Sequence, residues 1–113
     1  MKEQVAALLK QVKEGSISFK EVIAFIEMHY QHVPTAFKNG AVYNEATQNQ
    51  GSAKVFTFAK LHQLNETDTL TLFAEHYQAV LKTPDGTDHQ NIRQFMLNGW
   101  TGIIFEEQAL ISR

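Results

Sequence analysis

Val5, Leu8, Leu9 and Val12 fall at the i, i+3, i+4, i+7 spacing of one helix face, and Gly15 stands where such a helix stops. Ser18-Phe19-Lys20-Glu21 then has the pattern of a capping box, with the acidic residue at the third helical position. Val22, Phe25 and Ile26 continue an apolar stripe toward His29. Pro34 is expected to close this second helix, because the residue before a proline avoids the helical region.

The pattern then changes. Phe37-Lys38-Asn39-Gly40-Ala41-Val42 contains Asn-Gly, the strongest short hairpin signal, between short runs. A small two-stranded element or a tight turn is expected there, followed by a polar loop over 44–51. Val55 to Leu64 is apolar for too long to be one strand, so a buried helix is expected from Ser52. Asn65 is placed to cap the next helix, whose inner face runs Leu70, Phe73, Tyr77 and Val80. Thr83-Pro84-Asp85-Gly86 reads as a turn. Asp88 would cap a last helix carrying Ile92, Phe95 and Met96, with Gly99 at its end. Gly102-Ile103-Ile104-Phe105 reads as a short strand, and the tail from Glu107 is expected to fray. The fold class is mainly α (α+β): about five helices around one core, with a short β-hairpin and a C-terminal strand.

A chain of 113 residues, 43% of them hydrophobic, fits one domain over 1–113. Only 19% of residues are charged, so much of the surface must be neutral and polar. The formal net charge is −2, there is no Lys/Arg run, and Arg93 and Arg113 are the only arginines. Counterion release from nucleic acid needs clustered cations, so nucleic-acid binding is not expected. No cysteine is present, which removes disulfides, zinc-thiolate sites and a thiol nucleophile. The apolar run Val5–Leu9 is cut by Lys10 and Gln11, so neither a secretory signal nor a membrane span is expected.

Four groups of residues carry candidate chemistry. His29 and His32 have helical spacing but no third ligand, and polar groups also suit a helix C-terminus, so no metal is expected. Asp88, His89 and Arg93 combine a carboxylate, an imidazole and a guanidinium. Asp88 is more economically a cap, whereas Arg93 follows His89 by one helical turn and would share its face. Asn49-Gln50-Gly51-Ser52-Ala53-Lys54 could hold an anion at a helix start, although Ser52 as a plain cap explains it too. Trp100, in Asn98-Gly99-Trp100-Thr101-Gly102, suits a core anchor better than a stacking ring. No Ser or Thr lies in a nucleophile motif.

Several strings together resemble a known family. They are Phe37-x-Asn39-Gly40; Asn44-Glu45-Ala46-x-x-Asn49-x-Gly51-Ser52-x-Lys54; Pro84-x-Gly86-Thr87-Asp88-His89-Gln90-Asn91-Ile92-Arg93-x-Phe95-Met96; and Gly99-Trp100-x-Gly102-Ile103-x-Phe105. In that order they resemble the HopJ type III effector family of small bacterial proteins, over about residues 16–106. The resemblance implies no reaction, cofactor or catalytic residue. It sets a Cys where this chain has Ala53, and Glu3 with the Val5–Val12 helix differs from a flexible, Ser-rich export signal.

The expected function is a non-enzymatic protein-interaction or binding module without a cofactor. The alternative is a small-ligand or enzymatic site where the Asn49–Lys54 loop meets the Asp88–Arg93 helix start. Its residues would be Asn49, Ser52, Lys54, Asp88, His89 and Arg93, and its partner a small anionic ligand or another protein. The expected location is the bacterial cytoplasm, with type III export into a host cell as the alternative.

Overall fold

The computed structural model describes residues 1–113. Six helices and five three-residue strands follow one another as α1 (Lys2–Lys13), α2 (Phe19–His29), β1 (Tyr30–His32), β2 (Phe37–Asn39), β3 (Val42–Asn44), α3 (Gln50–Leu61), α4 (Glu66–Thr71), α5 (Glu75–Lys82), α6 (Gln90–Asn98), β4 (Ile103–Phe105) and β5 (Leu110–Ser112). A 3-10 turn over Gly99–Gly102 joins α6 to β4.

The mainly α (α+β) class is the one expected. The α1 stripe of Val5, Leu8, Leu9 and Val12 is buried, and Gly15 has the positive φ of a helix stop. At the start of α2, the Glu21 carboxylate accepts from the Ser18 backbone N–H at 3.1 Å and from its hydroxyl at 3.3 Å. Asn65 caps α4 by accepting from the Asp68 N–H at 2.8 Å. Helix α3 buries Ala53, Val55, Phe56, Thr57, Phe58 and Ala59, more than one face's worth. It therefore runs through the interior, wrapped by the other elements. One cluster of 23 buried residues forms the core, with Phe37, Phe56, Phe58 and Phe95 among its largest fully buried members.

Five expectations are corrected. Helix α2 ends at His29, and the chain is already extended over Tyr30–His32 before Pro34 is reached. Gly40 and Ala41 form the hairpin turn, with Asn39 paired to Val42 inside the ladder; the Asn-Gly signal was right in kind but one residue early. The single helix expected after Asn65 is two, α4 and α5, broken at Leu72–Ala74. Met96 is 45% exposed rather than part of the core. The tail does not fray, because β5 pairs antiparallel with β1 from Tyr30↔Ser112 to His32↔Leu110. Strand β4 exists as expected and joins β2 in a sheet ordered β3-β2-β4.

Candidate functional site

Two helices begin in the same unusual way. Asn49 precedes α3 with φ +50 and ψ +38, and His89 precedes α6 with φ +51 and ψ +47. Both residues are left-handed, a conformation that Asn and His enter more readily than most non-glycine residues. Neither helix start carries a side-chain cap. The backbone N–H groups of Gly51, Ser52, Gln90 and Asn91 have no acceptor within the protein. Both starts open on one cleft of about 320 Å³, lined by Asn49, Gly51 and Ser52 on one side and His89, Gln90 and Asn91 on the other. Phe19, Val42, Phe73, His76 and Ile92 complete its wall.

Buried asparagines hold the two starts together. Asn39 and Asn44 are fully buried on β2 and β3, and Asn91 is 6% exposed in α6. The Asn39 amide donates to the Asn91 carbonyl at 2.8 Å and to its side-chain oxygen at 3.0 Å. Asn44 and Asn91 exchange bonds of 3.2 and 2.9 Å through their side chains. Asn49 reaches in from the α3 start and donates to Asn44 Oδ1 at 2.8 Å. A chain of amide bonds, buried at Asn39, Asn44 and Asn91 and part-buried where Asn49 joins it, thus sets the α3 start against the α6 start.

The cleft brings together only part of the expected set. Asn49, Ser52 and His89 line it; Lys54, Asp88 and Arg93 do not. Ser52 lies inside α3 and caps nothing. Lys54 turns to Glu27, with Nζ 2.8 Å from the carboxylate. Asp88 does not cap α6; that position belongs to His89. Its carboxylate instead accepts from Arg93 Nη2 at 2.6 Å, and this bond holds Asp88 below the usual carboxylate range. Arg93 also donates from Nε to the Asp88 carbonyl at 2.6 Å, from Nη1 to the Thr83 carbonyl at 2.7 Å and from Nη2 to the Thr83 hydroxyl at 3.1 Å. Its fork is spent on the 83–88 loop, so His89 and Arg93 do not act as one helical face.

His76 is the lining residue that the sequence does not single out. It sits in the first turn of α5, its ring centroid 5.0 Å from that of His89 and 4.8 Å from that of Phe19. Nothing in the spacing of the histidines points to it, because the break between α4 and α5 sets its direction. The other histidines lie elsewhere. His29 packs on Phe25 at 4.8 Å, and His32, in β1, places Nδ1 3.3 Å from the Ala109 carbonyl. No group of three or more His, Asp or Glu side chains is placed to hold a metal ion. Trp100 packs edge-on against Phe95 at 5.0 Å, as a partly buried anchor.

Chemically, the cleft offers two imidazoles, one hydroxyl and free backbone donors; the Asn49, Gln90 and Asn91 amides in its wall already bond within the protein, and no carboxylate lines it. Such a set suits hydrogen bonding to a polar ligand. A separate exposed apolar face joins Leu81 of α5 to Met96 and Leu97 of α6, which are 47%, 45% and 77% exposed. No helix is long and apolar enough to cross a membrane.

The family model described as HopJ type III effector protein matches residues 3–110. The crystal structure of the unknown-function protein VPA0580 is similar, with a TM-score of 0.91 and 40% sequence identity, covering 100% of this chain and 93% of that one. No curated protein matches the chain.

Proposed function

The chain belongs to the HopJ type III effector family, and we propose that it is a non-enzymatic binding module whose ligand seats between the starts of α3 and α6. One observation carries this reading: Asn49 and Ser52 from one polar segment and His89 from the other line the same cleft. Lys54, Asp88 and Arg93 act around it, in ion pairs and loop bonds rather than on the ligand.

A thermal-shift screen of small carboxylates, phosphates and sulfonates tests the proposal. The variants are Ser52→Ala and His89→Asn, the second chosen because Asn tolerates a positive φ. A genuine ligand raises the Tm of the wild type and loses most of that shift in both variants. If every hit keeps its full shift in both, the cleft is not the binding site.

Contact with another protein is the second reading, supported by the exposed Leu81, Met96 and Leu97. The two readings separate in one comparison: Leu97→Ser leaves small-ligand shifts intact if the cleft alone binds. We place the protein in the bacterial cytoplasm, with type III export as the competing route. Fractionation of cells with and without a functional secretion apparatus decides between them.

A further inference from the structure

His76 and His89 come from separate elements and meet at the cleft with ring centroids 5.0 Å apart and planes 34° apart. The carboxylates nearest to them are already engaged. Asp88 Oδ1 accepts from Arg93 Nη2, and its Oδ2 lies 4.0 Å from His89 Nε2. Glu75, beside His76, accepts from the Phe19 N–H at 2.7 Å. The charged groups facing the pair are therefore Asp88, Arg93 and Glu75. From α2, β3 and α3 come Phe19, Val42, Asn49, Gly51 and Ser52, none of which carries a charge. With both rings protonated, two like charges would face each other across a small cleft whose nearest carboxylates, Asp88 and Glu75, already accept from Arg93 and from the Phe19 N–H. An anion seated between the rings would offset that charge.

We infer, resting on the cleft reading above, that the ligand is an oxyanion and that the His76–His89 pair couples its binding to proton uptake. Coupling of this kind is reciprocal: an anion that favours the protonated rings binds more tightly when they are protonated. Affinity therefore rises as pH falls through the range in which imidazoles change charge, about pH 8 to about pH 5.

Sulfate is the probe, because it stays a dianion throughout that range. Its affinity is measured by calorimetry at about pH 8 and about pH 5.5 at fixed ionic strength, with amide and imidazole NMR to locate it. The expected result is at least about tenfold tighter binding at the lower pH, with Asn49, Ser52, His76 and His89 signals moving on titration. His76→Gln and His89→Asn should each remove most of the pH dependence while the fold, read by circular dichroism, is kept. Equal affinity at both pH values, with the cleft signals moving, overturns the proton coupling and leaves the cleft reading intact. Sulfate that moves no cleft signal at either pH overturns the oxyanion inference. The cleft reading itself is decided by the ligand screen: it falls if the screen is also blank, or if every hit keeps its full shift in Ser52→Ala and His89→Asn.

Discussion

The Tyr30 hydroxyl lies 2.7 Å from Nε2 of His62 and ties the first residue of β1 to the residue that ends α3. Phe58 packs against both rings, at 6.0 and 4.6 Å. Burial raises the Tyr30 phenol above its usual value. Burial, then the Met1 amino group and His29, push His62 below the usual histidine value. His32 is also depressed, by burial and by Lys54. An imidazole held below its unfolded value leaves the unfolded chain with more protons. The stability it contributes is present above about pH 6.5 and is lost as pH falls through the folded values. Urea unfolding between about pH 7.5 and about pH 5 should show this decline. His62→Gln should flatten it, and an unchanged slope in that variant would show that His62 is not its source.

Arg93 is best understood through what it holds. Its guanidinium bridges Thr83 and Asp88, closing the loop between α5 and α6. Arg93→Ala should cost about 1–2 kcal/mol, since several charge-assisted bonds are lost at a partly buried group. Arg93→Lys should recover little, because a point charge cannot reproduce the fork. Hydrogen exchange localised to residues 83–89 is the expected signature. A fully native loop in the alanine variant would contradict it.

Asn91 is a structural hub with no sequence signal of its own. Asn91→Ala would leave Asn44 and Asn39 with unpaired buried polar atoms, a loss of about 2–4 kcal/mol. Asn91→Asp should be worse. It sets a buried carboxylate oxygen against the Asn44 oxygen that now accepts from the Asn91 amide. Urea denaturation gives the order directly, and exchange at the starts of α3 and α6 should rise together in both variants.

Periodicity made the long amphipathic elements readable, because their burial follows from local spacing. Val5 to Val12, the Ser18–Glu21 cap and the Asn65 cap all depend on residues within one turn. The misses arise where a distant partner decides. Asp88 is a good cap by type, but Arg93 takes its carboxylate, and His89 turns left-handed in its place. Ser52 is displaced because Gln50 folds the preceding loop by bonding the Thr35 and Gln48 carbonyls, which starts α3 two residues early. The C-terminal strand forms only because β1 lies open to it, a pairing across about eighty residues that no local pattern encodes. At the candidate site, Asn49, Ser52 and His89 were legible by type. His76 and the buried asparagines were not, although Asn39 sits two residues after Phe37 and so shares its inward face.

Ala74 explains why one apolar stripe makes two helices, and it provides a test of that explanation. The residue has φ +52 and ψ −123, a backbone conformation suited to glycine, and it is 8% exposed. The turn it makes separates α4 from α5 and lets Leu72, Phe73 and Val80 all enter the core, at 0%, 2% and 2% exposure. Core burial therefore outweighs a local penalty of about 1–3 kcal/mol. Ala74→Gly should relieve most of that strain at the cost of a more flexible unfolded chain, for a net gain of about 1 kcal/mol. A rise in Tm with an unchanged circular dichroism spectrum is expected. A fall in Tm would mean that the buried Ala74 methyl contributes more by packing than its backbone costs.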